Sequence, residues 1–156
     1  MPSPRETKTW RLEWSDALSV CIPEIDAEHR HFIQLVNDFN EAVTTRMSLE
    51  VIKNRLQAIM EDAAAHFSHE EVLFRAWGYP AAGEHAQRHA QITLALRDIL
   101  QHSEHGGVEY EWIQAGLEIK QILIEHILTE DMQYRDYYLA SACVVDTSVT
   151  PTMTDN

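Results

Sequence analysis

Glycine and proline are the residues at which a chain turns most easily, and here five of each serve 156 residues. All but Gly116 are gathered into few places: Pro2, Pro4 and Pro23, then Gly78 with Pro80, Gly83, the pair Gly106 and Gly107, and Pro151. Between these joints the backbone has little reason to leave a regular helix, so long helices are expected. Apolar residues recur there at spacings of three and four. Phe32, Ile33, Val36, Phe39 and Val43 form the stripe of a first helix from about Asp26 to Arg46. After Ser48, a suitable N-cap, Leu49, Ile52, Leu56, Ile59, Ala63, Leu73 and Trp77 mark a second that stops at Gly78. Ile92, Leu96 and Ile99 mark a third, and Ile113, Leu117, Ile119, Ile122, Leu123 and Ile127 a fourth. No strand-like alternation competes. Short joints between long amphipathic helices predict an all-α fold, an up-down-up-down antiparallel four-helix bundle over 25–140. An irregular N-terminal arm (1–24) precedes it and a flexible tail (141–156) follows.

Charge and composition narrow the function. Asp and Glu total 25 against 12 Lys and Arg, a formal net charge of −13 that repels phosphate backbones and anionic membranes. Nucleic acid and membrane are therefore not expected partners. No apolar run approaches the ~20 residues needed to cross a bilayer. The first fifteen residues mix charge with proline and carry no apolar signal core, so a cytoplasmic location is expected. Cys21 and Cys143 are too few for a disulfide framework and are read as reduced thiols.

The anomaly lies in what occupies the stripes meant for the core. His66 and Glu70 stand in register with apolar neighbours on the second helix. His85 and His89 lie one turn apart on the third, so their rings point the same way. His126 sits on the apolar face of the fourth beside Leu123, and His29 one turn before Phe32 and Ile33 on the first. Burying one unpartnered polar group costs roughly 2–7 kcal/mol. Several on four helices need a common partner, and a divalent transition metal, which favours imidazole nitrogen and carboxylate oxygen, supplies it. Five imidazoles with carboxylates exceed the four places of a tetrahedral zinc site, so two ions fit better. A zinc-protease HExxH helix is excluded because Ala86 follows His85. The paired ExxH repeats of carboxylate-rich di-iron bundles are missing too.

Taken together, Trp14, Ile25-Asp26, His29, the block His66-Phe67-Ser68-His69-Glu70-Glu71, Gly78-Tyr79-Pro80, His85, His89, His126-Ile127 and Asp131 resemble the haemerythrins, specifically the bacterial ones, over about residues 14 to 138. The resemblance implies a cofactor of two iron ions joined by an oxo or hydroxo bridge. His85, His89 and His126 would hold one ion, His29 and His66 the other, and Glu70 and Asp131 would bridge them. The two-imidazole ion keeps an open position at which dioxygen binds reversibly, so the implied function is an oxygen carrier, storage or delivery protein, not an enzyme. The alternatives are an oxygen or redox sensor, or a di-iron enzyme acting on peroxide, nitric oxide or ferrous iron. Phe32, Phe67, Ile122 and Leu123 match positions that wall the oxygen pocket, and Tyr134 matches a tyrosine that follows the bridging aspartate. Many relatives carry tryptophan where this chain has Ile122, which implies a roomier pocket and faster autoxidation.

Helical geometry refines this assignment. Residue 70 lies one turn from His66, whereas 71 is rotated by ~140°, so Glu70 is the inward carboxylate and Glu71 an outer one. His126 and Asp131 are five apart and would diverge by that same angle on a regular helix, which predicts a local π-type widening between them. His31, His69, His102 and His105 fall off the core stripes and are read as surface residues.

Overall fold

The computed structural model describes residues 10–106 and 109–146. Helices dominate them: α1 (Pro23–Thr44), α2 (Leu49–Trp77), α3 (Ala82–Gly106), α4 (Glu109–His126) and α5 (Met132–Asp146). Between α4 and α5 the chain makes a π-helical turn over Ile127–Asp131, so the fourth long rod of the bundle runs from α4 through the π turn into α5. No strand occurs among the described residues. The joints are short, and α1 packs on α2, α2 on α3, α3 on α4 and α4 back on α1, which closes the antiparallel four-helix ring.

Local chemistry sets the ends of the rods. Pro23 opens α1 in the first turn, where its missing N–H is not needed. The Ser48 hydroxyl caps α2 by accepting from the Val51 N–H at 3.3 Å. Gly78 ends α2 in the left-handed region at φ +63°, with its own N–H on the Arg75 carbonyl and the Tyr79 N–H on the Phe74 carbonyl, a Schellman turn. The same pattern ends α1, where Met47 N–H reaches the Ala42 carbonyl and Arg46 N–H the Val43 carbonyl. Arg46, not a glycine, holds the left-handed position there at φ +55°.

Two main apolar cores lie along the bundle, with a third, smaller cluster of Leu18, Ile33 and Ile127 under the arm. The larger holds Phe39, Leu56, Ile59, Leu96, Trp112 and Ile119, and reaches Phe32, Phe67 and Leu123 at one end. The smaller gathers Val20, Ile22, Ile25, Phe74, Tyr79 and Tyr134. Burying such side chains stabilises by roughly 1.5–3 kcal/mol each, which is what holds four rods around a polar centre.

Residues 10–22 cross the outside of α1 as an irregular arm with one 3-10 turn at Asp16–Leu18. Buried polar residues of α1 tether it. Asn37 exchanges two hydrogen bonds with the Leu12 backbone, at 2.8 and 3.0 Å, and Asn40 donates to the Trp10 carbonyl at 2.9 Å. Asp26 accepts from the Val20 N–H at 2.8 Å and from the Ser19 hydroxyl at 2.5 Å. Cys21 is exposed and free. At the other end, 141–146 continue α5 as helix, where a tail was expected, while 147–156 and the side chains of His105 and Cys143 lie outside the described residues.

Candidate metal centre

Between the two cores, each rod turns polar side chains inward. His29 comes from α1, His66 and Glu70 from α2, His85 and His89 from α3, His126 from the end of α4 and Asp131 from the π turn, and all seven are buried. They form two groups that share the carboxylates: His85, His89, His126, Glu70 and Asp131, and His29, His66, Glu70 and Asp131. Within each group one donor atom per residue lies within 4.8 Å of the others.

The two carboxylates sit between the imidazole groups, one oxygen toward each. Oε1 of Glu70 is 3.1 Å from His66 Nε2 and 3.7 Å from His29 Nε2, while Oε2 is 3.0 Å from His89 Nε2 and 3.7 Å from His85 Nε2. Oδ2 of Asp131 is 3.2 Å from His29 Nε2, and Oδ1 is 3.1 Å from both His85 Nε2 and His126 Nε2. Every one of the five rings therefore presents Nε2 to the centre. Glu70 Oε2, both Asp131 oxygens and the Nε2 atoms of His85, His89 and His126 are buried without a hydrogen bond. A pair of nitrogens, His29 Nε2 and His66 Nε2, faces itself at 3.2 Å. Such a collection of orphaned donors and acceptors in a dry interior is strongly unfavourable by itself, and bound cations satisfy all of it at once.

Outer groups orient this set. The Nδ1–H of His66 donates to Glu28 at 3.0 Å and that of His89 to Glu71 at 2.9 Å, while Glu130 Oε2 stands 3.4 Å from His126 Nδ1. A proton held on Nδ1 leaves Nε2 as the lone-pair donor, the usual arrangement around a metal. The Tyr134 hydroxyl donates to Glu70 Oε1 at 2.8 Å. Without ions the cluster holds its charge as imidazolium–carboxylate pairs. Burial alone would raise Asp131, and Glu70 beside it adds to that, yet His126, His29 and His85 hold it well below the usual carboxylate range. Glu70 is likewise lowered, its burial outweighed by His29, His66 and His89. Burial would lower His66, but Glu28 and Glu70 push it up to about 10. His29 and His126 are raised against burial by Asp131 and its neighbours. Burial, with Asp131 and Glu70 nearby, raises Tyr134 and keeps its hydroxyl a donor.

The walls are apolar where the resemblance places them for three of four residues. Phe67 stacks on His89 at 4.0 Å between centroids and meets His126 edge-on at 5.8 Å. Phe32 meets His66 edge-on at 5.2 Å, and Leu123 is buried in the same core. Ile122 is only half-buried and lines the outer groove between α3 and α4. The π turn stands where the five-residue spacing required one. His31 and His102 are exposed, but His69 is half-buried, held by Glu28 at 2.7 Å. Glu28 was not legible in advance: it lies beside His29 on a face that periodicity marks as polar, and only the docking of α2 brings His66 and His69 to it.

Comparison with known proteins agrees with this geometry. The family described as "Hemerythrin HHE cation binding domain" matches residues 21–137. The chain is 26% identical over 125 residues to a bacteriohemerythrin of Stenotrophomonas maltophilia, covering 80% of each chain. It is 24% identical to a bacteriohemerythrin of Campylobacter jejuni, covering 73% of this chain and 85% of that one. With a myohemerythrin of Sipunculus nudus it shares 25% identity, covering 78% and 89%.

Proposed function

The chain belongs to the haemerythrin family of cation-binding domains, and on that premise we propose that its buried cluster holds two iron ions and binds dioxygen reversibly, as a carrier, store or delivery protein rather than an enzyme. One observation carries this reading: each of two buried carboxylates turns one oxygen toward the side of His85, His89 and His126 and the other toward the side of His29 and His66. Glu70 meets His85 and His89 with one oxygen and His29 and His66 with the other, and Asp131 meets His85 and His126 with one and His29 with the other. His85, His89 and His126 with the two carboxylates would hold one ion, and His29 and His66 with the same carboxylates the other, which would then have one protein donor fewer. When bound, the ions would supply the electrons that dioxygen binding requires.

The protein's own residues supply the rest. Phe32, Phe67 and Leu123 exclude water from the imidazoles, which withholds the protons that would drive reduced oxygen onward. Two carboxylates among seven donors stabilise high oxidation states less than a carboxylate-rich site does, which favours release. Glu28 and Glu71 hold His66 and His89 in one tautomer, and Tyr134 fixes the orientation of Glu70. No helix among the described residues is long and apolar enough to cross a membrane.

The test is anaerobic reduction of the iron-loaded protein followed by cycles of air and vacuum, with iron quantified per chain. A visible charge-transfer band that comes and goes with oxygen at two irons per chain is expected, and His29→Ala or His66→Ala abolishes it. A band that never reverses, or a single zinc per chain, overturns the reading.

A further inference from the structure

We propose that the groove between α3 and α4 is the port through which divalent cations reach the buried cluster, with the Arg88–Glu130 ion pair as its latch. The inference rests on the reading of that cluster as a metal site. Two surface cavities of about 550 and 500 Å3 share Ala95 and Ile122 and so form one trough along this face. Its floor is apolar, and Asp98, Glu111, Glu118 and Glu125 stand along it. On a chain of net charge −13 such a rim attracts cations and concentrates them at the trough.

The inner end of the trough reaches the cluster at His126. His126 is 4% exposed, yet its ring lines the 500 Å3 cavity and both of its nitrogens lack a hydrogen bond. On one side of that ring Nδ1 lies 3.4 Å from Glu130, and on the other Nε2 lies 3.1 Å from Asp131. A carboxylate in the groove is thus one imidazole away from the centre. A third cavity, of about 260 Å3, reaches His85, which is also 4% exposed with Nε2 unpartnered. Arg88, Gln91 and Glu130 line both this cavity and the one at His126. Arg88 donates from Nε to Glu130 at 2.8 Å and from Nη1 to Gln91 at 2.8 Å, so the guanidinium partitions the two cavities and covers the acidic carboxylate. Its side chain is 57% exposed against 18% for Glu130, and an ion pair whose cation is this open to water separates at modest cost. When it does, the cavities merge into one depression ending on two cluster imidazoles, with Glu130, still held by the Thr129 hydroxyl, left to accept a cation on its other oxygen and the positive charge withdrawn. His66 and His89 also have carboxylates at their outer nitrogens, Glu28 and Glu71, but their rings pack against Phe32 and Phe67.

The experiment follows Co2+ uptake by the metal-free protein in stopped flow through its visible absorption, and extraction of the loaded ion by a chelator. Ala95→Trp plugs the trough at the residue both large cavities share, and slows uptake and extraction at least about tenfold. Arg88→Gln opens the latch and speeds both by about threefold to fivefold, as loss of an exposed ion pair allows. Glu118→Gln with Glu125→Gln slows uptake at low salt and flattens its dependence on ionic strength. All variants take up the same two ions at equilibrium. Since Arg88 and Glu125 lie on the surface, their substitution leaves folding intact even if Ala95→Trp does not fold. Two ions bound at wild-type rates in the Arg88 and Glu118/Glu125 variants overturn the port while leaving the site. No uptake by the wild-type protein overturns both.

Discussion

Replacing Tyr134 by Phe removes a single atom from the protein, and its effect should depend on whether metal is bound. Tyr134 is fully buried, and its hydroxyl donates to Glu70 Oε1 at 2.8 Å. Hydrogen bonds to charged acceptors are worth about 1.5–3 kcal/mol. Oε1 keeps His66 at 3.1 Å, so the lower part of that range applies, about 2 kcal/mol. For a chain of this size that is a fall in Tm of roughly 4–8 °C for the metal-free protein. With ions bound, Glu70 is neutralised by them, and the loss should shrink below about 1 kcal/mol. Thermal and urea unfolding of both forms measure it, with Glu70→Gln completing a double-mutant cycle. Tyr137→Phe is the control, since its hydroxyl reaches only backbone carbonyls, those of Trp77 at 3.2 Å and Gly78 at 3.5 Å, and the side chain is half-buried. An equal loss from Tyr134→Phe in the Glu70→Gln background would refute the coupling on which this reasoning stands.

The pH profile of the metal-free protein follows from the same cluster. Glu70 and Asp131 are held below their ordinary values, so their contribution is present above about 4.5 and is lost as pH falls toward their folded values. His66 is raised from 6.5 to about 10, so its contribution is full below 6.5 and is lost as pH rises through about 10. Urea midpoints should therefore peak between about 4.5 and 6.5, and metal loading, which needs deprotonated imidazoles, should move the peak upward; an unmoved peak contradicts the metal reading. Gly78→Ala meets no atom within 4 Å but must hold φ +63°, so it should cost about 1 kcal/mol in chemical denaturation with the cluster unaffected. Ile122→Trp should slow autoxidation of the loaded protein, because the larger ring fills the groove that Ile122 lines beside His126, and an unchanged rate removes that role for residue 122.

What could be read in advance was whatever breaks a pattern. Imidazoles at core register, His66 among Ala63 and Phe67 or His126 beside Leu123, stand out because apolar periodicity leaves no room for them. Gly78 ends α2 where a left-handed residue is needed, and the turn shows in the sequence. The end of α1 does not show, because Arg46 takes the same conformation without glycine, at φ +55°. Glu28, Asn37 and Arg88 were invisible for another reason. Each is polar on a polar stretch, and its partner (His66, the Leu12 backbone, Glu130) is 38, 25 or 42 residues away. Which polar residue meets which depends on how the rods rotate against each other, and spacing within one rod says nothing about that.

The π turn is where sequence spacing, backbone and chemistry meet. Glu70 follows His66 by four residues and faces the same way on a regular helix. Asp131 follows His126 by five, and on a regular helix it would point ~140° away. Its neighbour Glu130, four residues on, would then point inward instead. Widening the helix over Ile127–Asp131 exchanges the two: Asp131 becomes fully buried between His29, His85 and His126, and Glu130 turns outward to Arg88. The shorter acid thus enters a space already occupied by three rings, while the longer one reaches across to α3. The widened turn is intrinsically less favourable than α-helix, and it persists because the buried carboxylate it delivers has three imidazole partners that Glu130 could not serve from the surface.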